Sequence, residues 1–126
     1  MHPFRTAIEA RDIDAAVALL AEDVVFRSPV VFTPYSGREA VRPILQAVIQ
    51  VFQDFSYLRE IGAEDAADHA LVFQARVGDK RLEGCDFLHA GEDGLIDEFT
   101  VMVRPLSGVI ALAEAMNALL TDPTHA

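Results

Sequence analysis

One cysteine, Cys85, stands among 126 residues, so no intramolecular disulfide can form. The thiol reads as a small buried hydrophobe in a reducing compartment. Long apolar runs are also missing, and nothing in the sequence would span a bilayer. The opening Met1-His2-Pro3-Phe4-Arg5-Thr6 lacks the charged-then-apolar order of a signal peptide. These absences predict a soluble, cytoplasmic protein with no membrane partner. Positive charge is scarce: ten Lys and Arg face twenty Asp and Glu, for a net charge of −10. The cations are scattered, and such a surface repels phosphate backbones, so nucleic acid is not an expected partner. His2, His69, His89 and His125 lack the close spacing of a zinc or iron site, which predicts no metal and no cofactor. Neither Ser28 nor Cys85 sits in a Gly-x-Ser-x-Gly elbow, which argues against nucleophilic catalysis. Gly91-Glu92-Asp93-Gly94 lacks the spaced ligands of a calcium loop and reads as a hairpin turn.

What the chain has is apolar mass. At 52% apolar residues it can fill one core but is too short for two, so residues 1–126 read as a single domain. Pro3 opens a short helix with Phe4, Ala7 and Ile8 on one face, a position that tolerates proline because its N–H would have no partner. Asp12 or Asp14 caps a second helix carrying Ile13, Ala16, Val17 and Leu20, which Ala21-Glu22-Asp23 ends,. Residues 24–27 form a brief strand. The irregular stretch to Tyr35, with its two prolines, is a candidate pocket rim. Ser36-Gly37-Arg38-Glu39 reads as a capping box. It would open a third helix with Val41, Leu45, Val48, Ile49 and Phe52 on one stripe,, which Pro43 would kink or delay. Beyond Phe55 the period changes from helical to alternating. Strands are expected at 56–62, about 71–77, 81–90 and 95–104, joined from the second onward by glycine-containing turns,. From about Ser107 to Leu120 helical spacing returns, followed by a loose tail from Thr121,. Helices first and a meander of strands after them is the α+β order.

This order resembles the nuclear-transport-factor-2-like superfamily, in particular its SnoaL-like (polyketide-cyclase-like) and ketosteroid-isomerase-like members. The residues that carry the likeness are Arg11-Asp12-Ile13-Asp14-Ala15, Ala21-Glu22-Asp23-Val24, Gly37-Arg38-Glu39, and Asp86 eight residues before Gly94. The resemblance implies a cone of three N-terminal helices packed on a curved antiparallel sheet, here with a C-terminal helix added. It also implies a homodimer. The isomerase members use a tyrosine, an aspartate base and an aspartic acid. Those positions fall here on Phe4, Ser28 and Asp86, and neither Phe4 nor Ser28 can do the work of the group it replaces. Steroid isomerisation by that route is therefore not expected.

If Asp86 points inward, strand parity sends Leu82, Gly84 and Leu88 inward with it, together with Asp97, Phe99, Val101 and Val103 on the next strand,. Phe4, Ile8, Phe26, Val41 and Leu45 would close an apolar cavity, with Arg27, Ser28, Tyr35 and Asp97 at its rim. The expected ligand is a hydrophobic small molecule contacted by Phe4, Phe26, Ser28, Tyr35, Leu45, Leu88, Asp97, Phe99 and Val101. Asp86 is the candidate catalytic residue, an acid or hydrogen-bond donor whose pKa burial should raise. Three functions stay open: an isomerase-, cyclase- or hydrolase-like enzyme, a non-catalytic binding module, and a structural dimerisation domain. The opposite parity places Cys85, Phe87, Thr100 and Met102 on an outer face fit for dimerisation. The last helix is expected to narrow the mouth of the cavity.

Overall fold

The computed structural model describes residues 1–120. The expected tail from Thr121, and His125 with it, lie outside them. Three helices come first, α1 (Pro3–Glu9), α2 (Ile13–Ala18) and α3 (Arg38–Val51), with β1 (Leu20–Arg27) and β2 (Tyr35–Ser36) between the second and third. Then follow β3 (Gln53–Ile61), β4 (Asp68–Val77), β5 (Lys80–Ala90), β6 (Ile96–Arg104) and α4 (Leu106–Leu120). The six strands form one curved sheet in the order β2-β1-β6-β5-β4-β3. The sheet is mixed where an antiparallel one was expected, because β1 lies parallel to β6. A parallel neighbour cannot be reached by a hairpin, and the chain between these two strands contributes α3 and the β3–β5 meander.

Short-range chemistry sets the helix ends. The His2 ring Nδ1 accepts from the Phe4 N–H at 3.0 Å, and Pro3 stands at the first position of α1. Asp12 Oδ1 accepts from the Ala15 N–H at 3.0 Å and caps α2. That helix stops at Ala18, so Leu20 and Ala21-Glu22-Asp23 belong to β1 instead of ending it. The ladder with β6 is irregular between Leu20 and Val25. Burial in β1 therefore runs in pairs, with Leu20, Ala21 and Val24 inside and Glu22 and Asp23 outside, a spacing that imitates a helix in the sequence. The expected capping box is likewise absent. Ser36 is committed to the ladder opposite Val25, Gly37 takes the cap position at φ 94° with no side-chain hydrogen bond, and Glu39 pairs with Arg42 at 3.1 Å. The helix also starts before Pro43 and passes through it. Pro43 and Glu39, whose carbonyl loses its donor, both lie on the exposed side, where water can replace the missing bond.

The core gathers between the helices and the inner sheet face, with Phe4, Val17, Leu20, Val24, Val41, Leu71 and Phe73 almost wholly buried. Each such side chain contributes about 1.5–3 kcal/mol on leaving water. Glycine is required at two close approaches. At Gly84 a Cβ would collide with the Phe73 ring, and at Gly108 it would lie 2.8 Å from Leu82 Cβ. The first lets an aromatic ring lie flat over β5, and the second brings α4 down onto the same strand.

Candidate functional site

Between helices and sheet lies a cavity of about 280 Å³. Its floor is aromatic. Phe4 and Phe26 meet Phe99 edge-on at 5.1 and 4.9 Å, and Phe55 meets Tyr57 at 4.9 Å and Phe73 at 5.2 Å. Val48 of α3 and its C-cap residue Phe52, Val30 and Val31 of the loop after β1, and Leu112 and Met116 of α4 complete the walls. The last helix, α4, borders the cavity through Leu112, Ala113 and Met116.

Asp86 sits on β5 opposite Leu71 of β4 and Val101 of β6. It is 7% exposed and is the buried charged residue among the described ones. The Tyr57 hydroxyl on β3 reaches across β4 and donates to Asp86 Oδ2 at 3.0 Å. Among the described residues no sealed side-chain oxygen or nitrogen lacks a partner. Oδ1 has no such bond, so it keeps its opening to the cavity that Asp86 lines. Burial raises the Asp86 pKa from 3.8 to about 7, against the opposing effect of the Tyr57 hydrogen bond. The surroundings penalise the carboxylate more than one neutral donor can recover. Burial, followed by the nearby Asp86, also pushes the Tyr57 hydroxyl well above its ordinary range, so Tyr57 stays a donor. The arrangement can present a carboxylic acid O–H to an acceptor held in apolar surroundings, or take a proton near neutral pH.

Of the residues expected here, Phe4, Phe26, Ser28, Tyr35, Leu45, Phe99, Val101 and Asp86 line the cavity, as does Ile8. Val41 and Leu88 are buried at 0% and 3% but belong to the core and do not line it. Asp97 corrects the parity argument. The ladder slips between His89, opposite Glu98, and Ala90, opposite Ile96, leaving Asp97 as the extra residue of a bulge. Such bulges re-aim side chains, and here Ile96 turns inward while Asp97 meets His89 Nδ1 at 2.7 Å. Arg27 also stays outside, 3.3 Å from Glu98. His89, Asp97 and Glu98 thus gather on the outer side with donor atoms within 4.8 Å of one another, a grouping the sequence spacing did not reveal. Their charges are already matched, because Asp97 raises the His89 pKa through its hydrogen bond and Glu98 pairs with Arg27.

Two ionisable residues that line the cavity escaped the sequence reading. Tyr57 is flanked by register shifts between Gln53 and Ser56 and between Tyr57 and Arg59, so parity could not be carried along β3. The alternation of Phe55 and Tyr57 was the available signal. Arg11 lines the cavity from the turn that was read as a break between helices.

The SnoaL-like domain family matches residues 2–99. A structure described as a steroid delta-isomerase from Pseudomonas aeruginosa is 42% identical over 96% of this chain and 88% of that one, with a TM-score of 0.89. An uncharacterized protein with a cystatin-like fold from Silicibacter pomeroyi is 40% identical over 98% and 90%, with a TM-score of 0.88. An epoxide hydrolase/cyclase-like enzyme of pyran ring formation in salinomycin shares the fold at 18% identity and a TM-score of 0.65, over 83% and 87% of the two chains. No curated protein matches.

Proposed function

Because the chain belongs to the SnoaL-like domain family of the nuclear-transport-factor-2-like superfamily, we propose that its cavity binds a largely apolar small molecule through a single oxygen acceptor, with Asp86 as the donor. The observation that carries this reading is a carboxyl group with one oxygen held by Tyr57 and the other open to apolar walls. A ketone is the simplest ligand that fits, since its oxygen accepts and the rest of it has no polar demand. As an acid, Asp86 can also give its proton to the oxygen of such a carbonyl. Enolisation or isomerisation with Asp86 as the acid is supported by the likeness to the structure described as a steroid delta-isomerase. Water would take the carbon proton, since Ser28 stands where a base is expected. The test is displacement of Nile red from the cavity by methyl octyl ketone in the wild type and in Asp86→Leu. Loss of one hydrogen bond should weaken binding by about fivefold to tenfold. Equal affinity in both proteins, or no displacement from either, would overturn the reading.

A homodimer through the outer sheet face belongs to the same proposal. Ile61, Ala70, Phe87 and Thr100 form one row across β3–β6. Beside it Met102 lies opposite Cys85. Ile61, Phe87 and Met102 are 51%, 43% and 59% exposed, and a second copy would cover this apolar surface. The half-buried Cys85 is the one cysteine of the sequence, and a reduced thiol fits the cytoplasmic setting that this reading includes, with residues 1–126 as one domain.

A further inference from the structure

The cavity has a cation at its edge in a protein of net charge −10. Among the described residues that line it, Arg11, Tyr35, Tyr57 and Asp86 are ionisable. Arg11 is the one cation among them,.

Arg11 follows the C-cap residue Ala10 and has φ 57°, with its N–H bonded to the Ile8 carbonyl at 2.9 Å. This left-handed position after a helix is usually glycine, because a Cβ there costs about 1–2 kcal/mol. The other described residues with positive φ are Gly37, Gly62, Gly78, Gly94 and Asp54, and Asp54 uses its side chain on Arg76 at 2.6 Å. A side chain kept at such a position calls for a use. One guanidinium nitrogen of Arg11 donates to the Ile49 carbonyl at 3.1 Å, in the last turn of α3, which fixes the group beside the cavity wall. The neighbouring Asp12 carboxylate is occupied by the Ala15 N–H. Arg5, Arg27, Arg42, Arg76 and Arg104 each have a carboxylate partner; among the described residues Arg11, Arg38, Arg59 and Arg81 form no ion pair, and of these four Arg11 is the one that lines the cavity. The remaining N–H groups of its fork match the two oxygens of a carboxylate.

We infer that the ligand is an amphipathic acid: its apolar body fills the cavity, its carbonyl oxygen meets Asp86, and a carboxylate at its far end is held by Arg11 at the mouth. The inference rests on the cavity reading above and adds the chemical class of the ligand. Arg11 also staples the α1–α2 turn to the C-terminal end of α3, and the test must separate that role from binding.

Three probes of one chain length do so: methyl octyl ketone, the keto acid bearing a carboxyl group at the other end, and the methyl ester of that acid. Affinities are measured for the wild type and Arg11→Gln at about pH 6, where the probe carboxyl is ionised and Asp86 is still largely protonated. The wild type should bind the acid about fivefold more tightly than the ester at low salt, the size of a solvent-exposed ion pair. That gap should close in Arg11→Gln and shrink in the wild type at high salt. Ketone and ester affinities should stay unchanged. If Arg11→Gln weakens all three probes equally, or the wild type binds acid and ester alike, the inference is overturned and the cavity reading stands. Binding of none of the probes overturns both. Should Arg11→Gln fail to fold, the salt dependence of the acid-to-ester ratio in the wild type decides.

Discussion

Replacing Tyr57 by phenylalanine removes one oxygen from the cavity wall and leaves the ring contacts with Phe55 and Phe73 in place. The lost group is the donor to Asp86 Oδ2 at 3.0 Å, which holds the Asp86 pKa below the level that burial alone would set. A hydrogen bond to a charged group contributes about 1.5–3 kcal/mol and one to a neutral group about 0.5–1.5 kcal/mol. The carboxylate therefore loses about 1–1.5 kcal/mol more than the acid does, which is about one pH unit. The midpoint should move from about 7 to about one unit higher in Tyr57→Phe. Carbon NMR of labelled aspartate reads it, with Asp86→Asn assigning the resonance. A midpoint that stays or falls in Tyr57→Phe would refute the role given to this hydrogen bond. A wild-type midpoint near the ordinary 3.8 would refute the weight given to burial.

Asp86 also makes stability depend on pH. Its folded pKa is raised, so its contribution is fully present below 3.8 and is lost as pH rises through about 7, by up to about 4 kcal/mol over roughly three units. Urea unfolding at pH values across that window should show the decline in the wild type and a flatter profile in Asp86→Asn. An equal slope in both would contradict the assignment. His89 adds a change of the same sign, because its hydrogen bond to Asp97 raises its pKa. Asp97→Asn should remove that smaller component from the unfolding profile. Light scattering should give twice the chain mass for the wild type and the chain mass for Phe87→Asp/Met102→Asp, while a monomeric wild type would exclude the proposed dimer.

Asp86 was singled out by resemblance, and parity could be carried from it because the ladder between β5 and β4 runs unbroken from Asp68 opposite His89 to Val77 opposite Lys80. Alternation along β5 therefore maps directly onto the two sheet faces. Where ladders slip, the same reasoning fails. The bulge beside Ala90 reversed the side assigned to Asp97, and the shifts around Tyr57 hid the partner that completes the site. Local helix signals behaved similarly. Asp12 capped as its type predicts, but Ser36 is drawn into a ladder with β1 and leaves Gly37 to start α3. Tertiary pairing outranks a capping motif when the two compete for one backbone segment. The helical likeness of Leu20 came from an irregular strand, which burial can distinguish and spacing alone cannot.

The central claim is that Asp86 meets its ligand as an acid, and the pH dependence of methyl octyl ketone binding tests it most directly. Asparagine donates at every pH, whereas aspartic acid donates only while protonated. Wild-type affinity should be level at about pH 5 to 6 and fall above about pH 7, approaching tenfold per unit where the carboxylate form does not bind, as Asp86→Asn stays level throughout. Affinities that are level from about pH 5 to about pH 9 in both proteins would contradict the claim.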